Sequence, residues 1–221
     1  MPALEGNNHQ NKWENTMRIH TAGLSALMLS AFAFQANAQQ TSFGHVDAYY
    51  IPRADLELSD ATGSAEDDGD GFGLKGRFLV SEQLFIAAEY QAVEYDDSNI
   101  ELDQVRVGLG LGLPINTALR FVGQVEYVDV EVDTPGFSSE GEDGFGVHGG
   151  LEAVLSPQFS LHGSVGFLSL GDTDGPEFLI GARFHVAPNF SLFADYRASR
   201  FSDSGTDLDL DDLRIGAGFH F

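Results

Sequence analysis

The chain of 221 residues fits a single domain. It carries 34 Asp and Glu against 11 Lys and Arg, a formal net charge of -23, which argues against nucleic acid as a partner because nucleic acid selects basic surfaces. It contains no cysteine, which excludes disulfides, thiol nucleophiles and thiolate metal sites.

Residues 17–38 have the pattern of a secretory signal peptide. The segment begins with Met-Arg, continues with the apolar stretch 21–34 and ends in Ala36-Asn37-Ala38, which fits an A-x-A cleavage site. The apolar stretch is shorter than the roughly 20 residues that a membrane-spanning helix needs. We therefore predict cleavage before the mature domain 39–221. Residues 1–16 form a polar N-terminal extension, and our hypothesis is that translation starts at Met17.

From residue 43 onward, apolar side chains occur at every second position. Val105, Val107, Leu109, Leu111 and Leu113 alternate with Gln, Arg and Gly, as the two faces of a β-strand require. We predict ten strands and an all-β fold; the segments are 43–57, 71–80, 84–95, 100–113, 118–132, 144–155, 159–170, 177–186, 190–200 and 208–221. A soluble β-sandwich also alternates in this way, so the connections between strands must decide the class.

Short and long connections alternate along the chain. The short links are 81–83, 114–117, 156–158 and 187–189, and the longer acidic ones are 58–70, 96–99, 133–143, 171–176 and 201–207. Transmembrane barrels have this asymmetry, with short periplasmic turns and long outer loops. A mean hydropathy of -0.11 agrees with such a barrel, since its lipid-facing and lumen-facing residues average out. We predict an antiparallel up-and-down transmembrane β-barrel of ten strands, with eight as the alternative.

The aromatic residues of the apolar faces are predicted to form two belts, as expected where a barrel wall crosses the two membrane interfaces. Near the loop ends are Tyr50, Tyr90, Tyr127, Tyr196, Phe145, Phe167 and Phe178. Near the turn ends are Phe78, Phe121, Phe159, Phe184, Phe190 and Phe221.

The chain ends with apolar side chains at every second position: Leu213, Ile215, Ala217, Phe219 and the terminal Phe221. With the signal peptide and the strand pattern, this makes the chain resemble small bacterial outer-membrane β-barrel proteins of the OmpA/OmpX type, and among them a ten-stranded member. The resemblance implies a place in the outer membrane of a Gram-negative cell. It also implies that these five residues are the signal read by the barrel-assembly machinery.

The polar faces of the predicted strands point into the lumen and carry nearly every basic residue of the mature chain. The predicted lumen charges are Arg53, Lys75, Arg77, Glu89, Arg106, Arg120, Glu126, Glu152, Arg183, Asp195, Arg197 and Arg214, together with Asp47, Asp55, His148, His162, His185 and His220; Arg200 faces out. Buried charges must pair, so we expect ion pairs that close the lumen. The alternative is a small passive ion or solute channel, since inward glycines such as Gly108 and Gly110 free space.

A polar triplet on the inward face raises a remote enzymatic alternative. His162 and Ser164 share a face, with Glu152 on the neighbouring strand, which faintly resembles the His-x-Ser arrangement of outer-membrane lipid A deacylases. A polar lumen produces such triplets by chance. We therefore predict a protein that is not an enzyme and has no catalytic, cofactor or metal site.

The acidic outer loops suggest where partners bind. We expect contact with outer-membrane lipid and lipopolysaccharide, with divalent cations between the negative groups. We expect a monomer. The leading functional hypothesis is a non-enzymatic barrel that contributes to envelope integrity or surface interaction.

Overall fold

The computed structural model describes residues 43–203 and 205–221. Within these ranges no helix is long and apolar enough to cross a membrane. The predicted signal peptide and the N-terminal extension lie outside the described residues.

Ten antiparallel strands form a closed barrel. They are β1 (His45–Asp60), β2 (Gly63–Leu79), β3 (Leu84–Tyr95), β4 (Glu101–Pro114), β5 (Leu119–Asp133), β6 (Glu140–Ser156), β7 (Phe159–Leu170), β8 (Thr173–Ala187), β9 (Phe190–Asp203) and β10 (Thr206–His220). Each strand pairs with its neighbours in sequence, and β1 pairs with β10 to close the barrel. The prediction of a ten-stranded up-and-down barrel is confirmed, and the eight-stranded alternative is wrong.

The strands extend further at the loop end of the barrel than the sequence pattern predicts. Residues 58–70 were predicted to be a loop, but β1 and β2 stay paired from Tyr50 to the contact between Asp60 and Gly63. In the same way β5 and β6 stay paired up to Val132 and Glu140. The Asp- and Gly-rich composition of these segments favoured loops, but a strand with water on its outer face accepts acidic side chains.

Strand β1 contains a β-bulge at Pro52, which changes the direction of the side chains that follow. Its register shifts between Tyr50 and Arg53 against β10, and between Ile51 and Ala54 against β2. Proline has no N–H to give to a ladder and is found at such bulges. As a result Ile51 and Ala54 both point inward and are fully buried.

This bulge makes two of the predicted lumen positions wrong. Arg53 and Asp55 lie on the outer surface, where the Arg53 side chain is 70% exposed. Arg53 donates two hydrogen bonds from Nε to Asp55, at 2.9 and 2.8 Å. Arg53 and Asp55 lie an even number of residues from the inward Asp47, so strict alternation predicts that they face the lumen. The extra residue in β1 reverses the direction of their side chains.

The polarity of the barrel wall reverses along its length. In β5, Glu126 faces the lumen while Val125 and Tyr127 face out. Two residues further along, Val128 faces the lumen while Asp129 faces out. The outer surface is thus apolar around the middle and turn end, as lipid requires, and polar at the loop end, as water requires.

Most of the apolar core lies inside the loop end of the barrel. One cluster contains Tyr49, Ile51, Ala54, Val93, Tyr95 and Phe193. A second contains Val128, Leu168, Leu170 and Phe201, with Val130, Leu208 and Leu210 packed against it. Tyr49 and Phe193 lie beside the interior charges, with Lys75 Nζ 5.5 and 4.4 Å from their ring centroids. We call the other members of the two clusters together the apolar cap.

Candidate functional site: the charged lumen

The middle of the lumen is crossed by ion pairs that join strands on different sides of the barrel. Arg214 of β10 is fully buried and donates to Asp195 of β9 through Nε, and to Glu89 of β3 through Nη1 at 3.0 Å. Lys75 of β2 donates to the other Asp195 oxygen at 2.7 Å. Arg197 reaches Glu89 at 2.6 Å. These groups connect four strands through the barrel interior.

A second set of charges lies beside the first. Arg106 of β4 forms two hydrogen bonds with Glu177 of β8, at 2.8 and 2.7 Å, and one with Glu126 of β5, at 3.1 Å. Ser199 also donates to Glu177, at 2.9 Å. Because both carboxylates are satisfied by one guanidinium, this set is held in a fixed geometry. We call these two sets together the charged layer.

One grouping within the charged layer has the donor atoms of a metal site. Glu126, His148 and Glu177 bring their ligand atoms within 4.8 Å of one another. The Nε2 atom of His148 lies 3.1 Å from Glu177. Arg106 donates to both carboxylates of this grouping, so a metal cation would have to displace a guanidinium that already neutralises them.

The turn end of the lumen contains two further ion pairs. Arg183 donates a hydrogen bond to Asp47 from each terminal nitrogen, at 3.0 and 2.5 Å. Arg77 donates to Glu152 at 2.6 Å. The guanidinium of Arg120 lies 3.9 Å from the other oxygen of Glu152. Of the eighteen residues predicted to face the lumen, the structure thus places sixteen in the interior and two, Arg53 and Asp55, outside.

Several interior polar residues are not among the predicted lumen positions. Glu177 and Asp212 are buried, and Asp212 accepts a hydrogen bond from Gln91 at 2.9 Å. The tyrosine hydroxyl of Tyr49 donates to Glu89 at 2.7 Å. The signal that identifies Glu177 and Asp212 is their position: each lies an even number of residues from the inward Arg183 or Arg214 on the same strand.

A cavity of about 270 Å³ lies between the charged layer and the turn end. Its lining includes Arg77, Arg106 and Arg120. The exposed fraction of these side chains falls from 35% for Arg120 to 17% for Arg77 and 5% for Arg106. Solvent therefore enters the cavity from the turn end and stops at the charged layer.

Glycines in the wall leave room for large inward side chains. A Cβ atom on Gly110 would collide with the ring of Phe85, and one on Gly166 would collide with the ring of His148. These glycines therefore do not widen the lumen, because side chains from neighbouring strands occupy the space.

The sequence profile of the family described as "Outer membrane protein beta-barrel domain" matches residues 24–176. The chain belongs to this family. The resemblance to bacterial outer-membrane barrels is thereby confirmed, and the protein is a β-barrel of the bacterial outer membrane. In such barrels the short turns face the periplasm, so the cavity opens to the periplasm and the apolar cap faces the cell exterior.

Solved structures of other outer-membrane barrels share the fold. The outer membrane protease OmpT from Escherichia coli is 10% identical, with 84% of this chain and 99% of that chain covered at a TM-score of 0.53. An outer membrane channel from Pseudomonas putida F1 is 8% identical, with 85% and 100% covered and a TM-score of 0.51. Neisserial surface protein A is 16% identical, with 80% and 97% covered and a TM-score of 0.43. No curated protein matches the chain. At these identities the likeness shows the fold alone.

The final strand of this outer-membrane barrel presents its alternating apolar side chains to lipid. Leu213, Ile215 and Phe219 are exposed on the outer surface of β10, which pairs with β9 and β1. Ala217 lies between them on the same face. Phe221 follows the strand, with its ring centroid 5.8 Å from that of Phe78. The role of these residues as an assembly signal stays a prediction.

The polar triplet of the remote enzymatic alternative is not joined by hydrogen bonds. Glu152 is engaged by Arg77. The Nε2 atom of His162 lies 3.7 Å from Asp195. Ser164 lines the cavity. The side chains of His162 and Ser164, both of which the structure describes, form no hydrogen bond with each other.

Proposed function

We propose that the protein is a non-enzymatic outer-membrane barrel that contributes to envelope integrity, with a lumen closed by ion pairs. The observation that carries this proposal is the pair of barriers in series: the charged layer and, beyond it, the apolar cap. Arg214, Ile51, Leu168 and Val128 are among the most deeply buried side chains of the described residues.

Each barrier opposes conduction for a different reason. In the charged layer, an ion would have to displace partners that are already bonded, such as Arg214 and Asp195. In the apolar cap, an ion would lose its hydration water without gaining a polar partner. Between the two barriers lies a cavity of only about 20 Å³. A small passive channel, the alternative function, would need both barriers to open.

Single-channel recording tests the closure. The full chain is refolded into a planar lipid bilayer, folding is verified by circular dichroism, and current is recorded beside a known outer-membrane channel as the positive control. We expect no discrete current steps. Reproducible steps from folded protein would reject closure and favour the channel, and truncation of Leu168 to Ala would then raise the conductance.

The partners are also a proposal. The outer surface of the loop end carries acidic residues such as Glu66, Asp97, Asp129 and Glu142, and divalent cations would bridge these groups to lipopolysaccharide phosphates. We further propose that the chain is monomeric, that the signal peptide exports it, and that the barrel-assembly machinery inserts it.

If the protein contributes to envelope integrity, its loss is expected to increase outer-membrane permeability, and the wild-type gene is expected to restore the barrier. Unchanged permeability would reject a role in integrity.

The non-enzymatic assignment is supported by the separate engagement of Glu152 and His162. Replacing Ser164 by Ala tests it directly, since a lipid A hydrolase would depend on this hydroxyl. We expect identical lipid A acylation in cells that express the wild type and Ser164→Ala. A change in acylation between the two would establish the enzymatic alternative.

A further inference from the structure

The lining of the periplasm-facing cavity is rich in basic side chains, although the whole protein has a net charge of -23. Seven cationic side chains line it: Lys75, Arg77, Arg106, Arg120, Arg183, Arg197 and Arg214. The carboxylates that line it or pair with these cations are six: Glu89, Glu126, Glu152, Glu177, Asp47 and Asp195. The remaining buried carboxylate, Asp212, accepts a hydrogen bond from Gln91 and lines the small cavity on the other side of the charged layer, which Arg106 and Arg197 also line.

Of these seven cations, Arg120 has the most distant carboxylate partner. Arg77 takes the nearer oxygen of Glu152 at 2.6 Å, which leaves Arg120 at 3.9 Å from the other oxygen. Among the residues that the structure describes, no side chain accepts a hydrogen bond from the Arg120 guanidinium. Its five N–H donors are therefore free for a ligand. With 35% of its side chain exposed, Arg120 lies where solvent enters the cavity.

Arg120 is nevertheless held in place. Its guanidinium stacks on the ring of Phe43 at 4.2 Å from the centroid, and Arg77 stacks on the same ring, also at 4.2 Å. Phe43 in turn packs edge-to-face on Phe85, with centroids 5.3 Å apart. A fixed guanidinium loses less conformational entropy on binding than a mobile one.

Further hydrogen-bonding groups line the same cavity. Ser160, Ser164 and His162 belong to β7, the neighbour of β6, which carries Glu152 opposite Arg120. Hydroxyls and imidazole N–H groups complete the hydrogen bonding of an oxyanion without adding negative charge. The volume of about 270 Å³ is small for a ligand pocket.

We propose that this cavity binds a small soluble anion, with a phosphate or carboxylate group held by Arg120. Guanidinium groups bind both classes through paired, charge-assisted hydrogen bonds. The barrel wall is closed by continuous strand pairing, so the ligand enters from the periplasmic water and not from the lipid. The site goes beyond the proposed structural function, and conductance and anion binding are measured independently.

Calorimetry on the full chain refolded in an uncharged detergent tests the site, with inorganic phosphate and acetate as separate probes. We expect saturable binding of at least one probe. Replacing Arg120 by Gln is expected to weaken that binding at least about 10-fold, because it removes the charge-assisted hydrogen bonds. Arg120→Lys is expected to keep part of the affinity, because it retains the charge.

The matched control is Arg53→Gln, which removes the same charge from the outer surface, where Arg53 pairs with Asp55. It is expected to bind like the wild type. Circular dichroism verifies that each variant folds. We expect folding to be retained, because the side chains of Arg120 and Arg53 are both partly exposed. Absence of saturable heat with both probes, or equal affinities for Arg120→Gln and the wild type, would overturn the proposal.

Discussion

The two ends of the barrel are both filled by side chains, but the side chains inside them have opposite polarity. Toward the periplasm the interior is charged and the outer surface is apolar; toward the cell exterior the interior is apolar and the outer surface is charged. Strand β5 shows both within four residues, from Glu126 inside and Tyr127 outside to Val128 inside and Asp129 outside. The solvent around the barrel decides: a wall in lipid leaves its polar residues to the lumen, whereas a wall in water folds like a soluble barrel.

The largest effect is expected from removing the cation at the centre of the charged layer. Arg214→Met leaves Asp195 and Glu89 buried with one cation fewer, which costs about 3–5 kcal/mol when a buried pair is broken on one side. Urea unfolding in lipid vesicles measures the free energy of unfolding. The control Arg53→Met removes an exposed pair, worth about 0–1 kcal/mol. Equal losses in both variants would show that the charged layer does not stabilise the barrel.

The apolar cap is expected to respond as a soluble core does. Leu168→Ala removes a fully buried side chain and is expected to lower the free energy of unfolding by about 2–5 kcal/mol. Leu58→Ala is the control, because Leu58 is exposed near the tip of β1. A loss at Leu58 as large as that at Leu168 would contradict the view of the loop end as a packed core.

A smaller effect is expected where a glycine gives room to an aromatic ring. Gly110→Ala forces the ring of Phe85 to move, and overpacking of this kind costs about 1–3 kcal/mol. The second substitution Phe85→Leu should recover part of the loss in the double variant, because the ring is gone. Gly63→Ala is the control, since a Cβ there meets nothing within 4 Å. Additive losses in the double variant would rule out this contact as the cause.

The smallest effect is expected at the water-exposed tip of the β1–β2 hairpin. Asp60 accepts hydrogen bonds from the Thr62 hydroxyl at 2.6 Å and the Thr62 amide at 2.7 Å, and these bonds lower the pKa of its carboxyl from 3.8. A lowered pKa stabilises the tip at neutral pH and down to the usual pKa, and this stabilisation is lost as the pH falls through the folded-state value. The amide resonances of Thr62 and Gly63 should therefore titrate below pH 3.8. In Asp60→Asn they should not titrate; titration in that variant would assign it to another group.

Period-two alternation predicted the inward direction of Arg106, Arg183 and Arg214, and together with the alternating short and long connections it predicted the barrel. It failed at Arg53, because the bulge at Pro52 inserts one residue and reverses the faces that follow. It also did not predict the apolar cap, because a change of surrounding solvent leaves the period intact and only exchanges the two faces. Partners such as Arg106 and Glu177, 71 residues apart, come together only through the closed barrel, so no local pattern identifies them.

The seam between β1 and β10 also bears on how the chain folds. It is the one pairing in the barrel that joins strands distant in sequence, whereas the other pairings are hairpins that form locally. Arg183 and Asp47 are 136 residues apart, and Arg214 and Glu89 are 125 apart, so these charges meet their partners only when the seam closes. A seam that closed one residue out of register would turn Arg214 and its strand-mates toward hydrocarbon. The charged lumen therefore disfavours misregistered barrels.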